Sequence, residues 1–201
     1  MNKDMANPMD NRSDEDIVLD FQSGHEEAIQ MIFSRYKTRI LNFCLRLLGN
    51  RADAEDATAE VFLTLFAKKY AFNPQAKFST WLFTVARNSS ISRIRKRKQA
   101  VSLWFQDRET ETWQHLEPED QKDQSREFLE RGETADHVRW AISQLPYEQR
   151  EAIVLREYHD FKYEQIAQIL NCSLEKVKIL LFRAREQLRI ELASFVKEGQ
   201  K

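Results

Sequence analysis

Residues 163–188, YEQIAQILNCSLEKVKILLFRAREQL, decide how this chain folds. Ile166, Ala167, Leu170, Leu174, Val177, Leu181, Ala184 and Leu188 recur mostly at steps of three and four across a short Asn171-Cys172-Ser173 break, so one apolar face continues through two helices joined by a tight turn. Ala167 is small where two helices crossing at roughly 90 to 120 degrees bring their backbones together. Asn171 tolerates the left-handed backbone that such a turn wants, and Ser173 is placed to cap the helix that follows. An ordinary helical hairpin shares the spacing, but the combination of Ile, Ala, Leu, Asn, Val and Leu favours a DNA-binding helix-turn-helix. Its second helix lies in the major groove and offers its N-terminal half to base edges. Lys176, Lys178, Ile179, Phe182 and Arg183 are the outward positions: cations for guanine edges or phosphates, apolar groups for thymine methyls.

Upstream of this unit, Val138, Ala141, Ile142 and Leu145 stand in helical register until Pro146 interrupts, and Glu148 to Tyr158 read as a further helix. The second domain therefore spans 134–196, with 197–201 as a tail. The first begins at Ser13, an N-cap over the acidic turn Asp14, Glu15, Asp16, with Gly24 as the stop. Ile29, Ile32, Phe33, Tyr36, Ile40, Phe43 and Leu47 then mark a long amphipathic helix ending on Gly49-Asn50. In the next helix Ala54, Ala57, Val61 and Leu65 form a packing stripe beside an acidic one, Asp53, Asp56 and Glu60. That helix frays near Tyr70, and Phe72 to Phe78 read as a loop because Pro74 disfavours helix at Asn73. Ser79 or Thr80 is expected to cap the next helix, STWLFTVARNSSISRIRKRK, which turns Leu82, Val85, Ala86 and Ser89 inward and ends in a basic run.

After Lys98 the sign of the charge flips. Asp107, Glu109, Glu111, Glu117, Glu119, Asp120, Asp123 and Glu127 populate a stretch without sustained apolar period, and residues 99–133 read as a flexible acidic linker. Trp104, Phe105 and Trp113 are expected to dock, on the first domain or on a partner, because a solvated Trp wastes a large apolar surface. The fold class is all-α: two small helical domains, 13–98 and 134–196, behind a disordered tail at 1–12.

Composition agrees. Four Gly and four Pro among 201 residues, against 31% charged, argue against a many-stranded sandwich, while 42% hydrophobic residues suffice for real cores. A net charge of -1 decides nothing about a polyanionic partner, so the local basic run has to. Cys44 and Cys172 lie far apart without a CxxC or a His cluster, which signals neither disulfide nor metal site. The polar, acidic N-terminus is no secretory signal, and no run of about 18 apolar residues appears, so the expectation is a cytoplasmic protein without membrane insertion. No P-loop, dinucleotide turn, HExxH or Ser-His pairing is present, so neither a catalytic residue nor a cofactor is expected. His159 beside Asp160 reads as a surface pair.

The order and spacing of NRADAEDATAEVFLTLF (50–66), FSTWLFTVARNSSISRIRKRK (78–98), LPYEQREAIVLREYHDFKYEQIAQIL (145–170) and VKILLFRAREQLR (177–189) resemble the extracytoplasmic-function group of bacterial RNA polymerase sigma factors, from Ser13 to Leu192. The resemblance implies a promoter-specificity factor with a region-two helical bundle and a region-four helix-turn-helix. It implies that Asp53, Asp56, Glu60 and Phe62 meet the clamp helices of the largest subunit of core RNA polymerase. It assigns the minus-ten promoter element to Phe72, Trp81, Asn88, Ser92, Arg93, Arg95, Lys96 and Arg97, which would capture an extruded base and hold the melted strand with aromatics and cations. It assigns the minus-thirty-five element to Arg156, Lys176, Lys178, Ile179, Phe182 and Arg183. An anti-sigma factor is the implied regulatory partner.

The sequence departs from the family pattern at Glu175, Lys176, Ile179 and Leu180, where Gly-Thr, a small residue and Arg are common. Ser92 stands for a frequent Asp and Ala59 for a frequent Gln. These bear on the promoter sequence read, not on the architecture. Two other readings remain at this point: a sigma-like decoy that binds an anti-sigma factor without touching DNA, and a stand-alone helix-turn-helix regulator. The basic run speaks against the first and the region-two motifs against the second.

Overall fold

A computed structural model describes residues 12–73, 75–106 and 133–198, and all regular structure within them is helical. The expected linker from Asp107 onward, most of the N-terminal tail, and the docking of Trp104, Phe105 and Trp113 lie outside the described residues and side chains.

Four α-helices build the described part of the first half. Helix α1 (Asp14–Gln22) starts where Ser13 accepts a hydrogen bond from the Asp16 N–H at 3.1 Å. Its Asp14 ties it to α2 (Ala28–Leu48), accepting from Arg35 at 2.8 Å and from the Tyr36 hydroxyl. Gly49, at φ +69°, closes α2 in the left-handed region that glycine enters without steric cost. Asn50 then caps α3 (Arg51–Ala67), taking the Asp53 N–H at 2.9 Å, so two adjacent residues stop one helix and start the next.

Helix α4 runs from Phe78 to Gln106 and corrects two expectations. Its cap is neither Ser79 nor Thr80: Glu15 of α1 accepts the Phe78 N–H at 3.0 Å, a tertiary bond that starts the helix two or three residues sooner. At the other end the helix continues eight residues past Lys98, into the segment read as linker, since residues 99–106 contain no Gly or Pro to stop it.

The second half is α5 (Glu133–Gln144), α6 (Tyr147–His159), α7 (Tyr163–Leu170) and α8 (Leu174–Glu198). Asn171 adopts φ +51° in the α7–α8 turn, and Ser173 accepts the Lys176 N–H at 3.2 Å, as the residue types require. Val177, Leu181 and Ala184 of α8 close the core against α5, α6 and α7.

The halves pack directly on one another. Helix α7 lies on α4, and α5 and α6 lie on α2, so that Phe43 and Phe83 belong to the same apolar core as Leu155, Phe161 and Ile166. His159 corrects the surface-pair reading: it is buried, its ring edge-on to Phe83 at 4.8 Å and to Phe43 at 5.7 Å, while Asp160 remains exposed in a left-handed C-cap. Burial drives the His159 pKa down to about 3, helped by the charges of Arg39 and Arg46.

Polar contacts cross the same junction. Arg87 of α4 sets Nε 2.8 Å from Oε1 of Glu151 and donates through Nη2 to Oε2 at 3.2 Å. Arg150 donates to the Leu47 carbonyl at 3.3 Å, Gln165 to the Thr80 hydroxyl at 3.5 Å, and the Arg46 guanidinium sits 3.9 Å from the centre of the Tyr158 ring. Glu151 is 0% exposed; desolvation raises its pKa, Arg87 opposes that, and a buried carboxylate is tolerable only because it is paired in this way.

Candidate functional site

Three surfaces gather the residues singled out from the sequence. The first is the outer face of α8. The alternation that buries Val177, Leu181 and Ala184 forces Lys178, Ile179, Phe182 and Arg183 outward, leaving Ile179 51% and Phe182 66% exposed. Large apolar groups held in water at this density are costly unless something covers them, and thymine methyls in a major groove would. Lys176 is held at 2.8 Å by Glu148 of α6, a hydrogen bond that raises its pKa. Arg156 donates to the Phe161 carbonyl at 3.1 Å and lies 5.5 Å from the Tyr163 ring centre, so both flanking cations are aimed by neighbours. Arg185, held at 2.8 Å by Glu157, is an exposed cation on the same helix that the sequence reading passed over.

The second surface is α4 with the loop before it. Trp81 is half-buried against Phe78 at 6.0 Å and Phe72 at 5.9 Å. Phe72 departs from the expected base-capturing role in this conformation, because its ring is 2% exposed and sits edge-on to Phe78 at 5.4 Å. The cause is Gln22 of α1, which donates to the Lys69 carbonyl at 2.6 Å and to that of Phe72 at 3.2 Å and so draws the loop onto the core. Phe72 thus forms a wall beneath Trp81 and offers no open face for stacking. Asn88, Ser92, Arg95, Lys96 and Arg97 are exposed along α4, and Arg95 and Lys96 make no ion pair with any described residue.

The third surface is α3. Asp56 and Glu60 are exposed and Asp53 half-buried in the first turn, while Phe62 packs edge-on to Phe33 of α2 at 4.8 Å. Leu63, Phe66 and Tyr70 extend this surface as exposed apolar groups. Their signal in the sequence was position: they are large and apolar but fall off the inward stripe of Ala54, Ala57, Val61 and Leu65.

Arg93 joins the second and third surfaces. Its guanidinium lies 3.4 Å from Asp56 and 3.6 Å from Glu60, and Glu60 also accepts from the Ser89 hydroxyl at 2.7 Å. A residue assigned to DNA is therefore held by two residues assigned to the polymerase. The pair between the halves, Arg87 with Glu151, went unread in the sequence; its available signal was an acid at an inward position of α6, between Tyr147 and Leu155. Among the described residues no cluster of His, Cys, Asp and Glu could hold a metal, and no helix is long and apolar enough to cross a membrane.

The family described as Sigma-70 region 2 matches residues 32–100, and Sigma-70, region 4 matches residues 138–188. The chain is similar to the ECF RNA polymerase sigma factor SigW of Bacillus subtilis, 32% identical over 183 residues that cover 87% of this chain and 94% of that one. It is also similar to the RNA polymerase sigma-H factor of Pseudomonas aeruginosa, 28% identical over 92% of this chain and 97% of that one. Among solved structures it is similar to the sigma factor RpoE of Bartonella quintana, in complex with the anti-sigma factor NepR, with a TM-score of 0.63, 25% identity, and coverage of 82% and 96%. CnrH in complex with the cytosolic domain of CnrY shares the fold, at a TM-score of 0.68 and 18% identity, over 91% and 99% of the two chains.

Proposed function

This chain belongs to the ECF RNA polymerase sigma factors, and from that premise we infer how its surfaces divide the work of starting transcription. It binds core RNA polymerase, recognises the minus-thirty-five and minus-ten promoter elements and promotes melting of the DNA, in the cytoplasm where the polymerase works. The observation that carries the division is that one chain presents two separate exposed faces suited to nucleic acid, on α8 and on α4. Lys178, Ile179, Phe182 and Arg183 read the minus-thirty-five element, with Lys176 and Arg156 as the aimed flanking cations. Trp81, Asn88 and Ser92 face the minus-ten strand, with Phe72 as the wall behind Trp81. Arg95, Lys96 and Arg97 neutralise its phosphates, which makes affinity fall steeply with salt.

No bond is made or broken by these groups. Holding a strand out of the duplex needs stacking and charge, and catalysis is left to the polymerase. Asp53, Asp56, Glu60 and Phe62 face the clamp helices of the largest subunit, where charge complementarity sets register and encounter rate. An anti-sigma factor is the regulatory partner.

The packed halves place a condition on this work. The two elements lie about 25 base pairs apart, roughly 85 Å at about 3.4 Å per pair. Packed together, the described helices make a body only about 40 Å across. Reading both elements at once requires the halves to part, which breaks the Arg87–Glu151 pair and uncovers His159.

Run-off transcription with core polymerase tests the reading. The expected product starts at promoters whose sequence the chain selects and disappears when Ile179 and Phe182 are replaced by Ala. Association with an anti-sigma factor without any promoter-directed product would mean a decoy, and tight operator binding by the isolated chain would mean a stand-alone regulator.

A further inference from the structure

Within the basic run on α4, Arg93 differs from Arg95 and Lys96. Arg95 and Lys96 project into solvent, whereas Arg93 is only 25% exposed and its guanidinium spans two carboxylates of α3. Those carboxylates, Asp56 at 71% and Glu60 at 52% exposure, stand open on their outer sides. Ser89, one turn before Arg93, orients Glu60 by donating to it. The arrangement is a shared cation: one guanidinium serves either the acidic stripe or a phosphate, and its fork cannot serve both fully.

We propose that Arg93 couples the two binding surfaces, released toward the minus-ten strand when cations of the polymerase clamp take over Asp56 and Glu60. The inference rests on the assignment of α4 to DNA and α3 to the polymerase, and adds a positioning role that links them. Without polymerase, Asp56 and Glu60 hold Arg93 away from phosphate and so restrain strand binding. With polymerase in place, the carboxylates gain other partners and Arg93 turns outward. Linkage makes the effect mutual: a phosphate on Arg93 leaves the stripe more negative for its basic partner. Exposed ion pairs are individually weak, so the coupling amounts to a change of about two- to fivefold in affinity.

A mutant cycle on the full chain tests this without polymerase, by fluorescence anisotropy with labelled oligothymidylate at low salt. Asp56→Asn with Glu60→Gln removes the restraint, and Arg93→Gln removes the cation; Glu55→Gln, which frees Arg51 in place of Arg93, reports the effect of losing a negative charge elsewhere on α3. The expected result is that neutralising Asp56 and Glu60 tightens binding about two- to fivefold more when Arg93 is present than when it is Gln. Arg93→Lys, which keeps the charge and loses the fork, should show a reduced gain and guards against a folding defect in the Gln variant. An equal gain in both backgrounds overturns the coupling while leaving the DNA assignment intact. Failure of both the wild-type chain and the Asp56→Asn, Glu60→Gln variant, in which the restraint is gone, to bind the strand at any salt overturns the assignment, and the coupling with it.

Discussion

Arg87 and Arg93 stand six residues apart on the same helix, and each faces glutamate, yet the two sites are physically opposite. Arg87 meets Glu151 across the junction of the halves, where the carboxylate is wholly buried and water cannot take the place of its counter-charge. Arg93 meets Asp56 and Glu60 within one half, at the surface, where solvent and other ions compete for every contact. The first arrangement therefore behaves as a structural commitment that has to be broken whole, and the second as an exchangeable one that yields to any better partner.

The largest effect should come from breaking the buried pair. Arg87→Ala leaves Glu151 without its counter-charge, and losses of about 3–5 kcal/mol are usual for such a change. Small-angle scattering and limited proteolysis should show the halves apart in the variant and together in the wild type. If instead the variant stays as compact as the wild type, the apolar contacts alone hold the junction. Replacing Arg87 with Met and Glu151 with Leu together should restore closure, because removing both charges removes the unpaired one.

Next in size is the response to acid. His159 has an ordinary pKa of 6.5 when solvated and about 3 when packed between Phe43 and Phe83. Above 6.5 it is neutral in both states and contributes no pH dependence. As pH falls below 6.5 the parted form binds a proton that the packed form refuses, so the His159 contribution to closure weakens about tenfold per pH unit, or roughly 2 kcal/mol by pH 5, while Glu151, whose pKa burial raises, opposes it by taking up a proton more readily in the packed form. Scattering across this range checks it, and His159→Phe should flatten the profile.

The smallest effect separates the two arginines by ionic strength. Raising salt should release Arg93 from Asp56 and Glu60 while leaving Arg87 on Glu151, since screening acts on exposed charges. Spectra of labelled arginine side chains should show the Arg93 signal moving with salt and that of Arg87 remaining still; equal movement erases the contrast.

How much of this was legible depended on whether the cause was local. Ser13, Gly49, Asn171 and Ser173 act on backbone groups within a few residues, so each of these turns and caps could be placed by type. The outward set on α8 was likewise legible, because helical periodicity fixes which positions oppose Val177, Leu181 and Ala184. Phe72 was not: its ring is turned inward by Gln22, about fifty residues away in the chain, and no local pattern reports such a bond. The start of α4 was missed for the same reason, its first N–H being taken by Glu15 from another helix.

The sequence by itself determined the all-helical class, most of the helix breaks and the family, since periodicity, caps and motif order are properties of neighbours along the chain. Tertiary structure alone decided that the halves share one core, that His159 is buried, and that Arg87 and Arg93 have different fates. Burial and the choice of counter-charge depend on which distant surfaces meet, and desolvation, which governs both, has no meaning until they do.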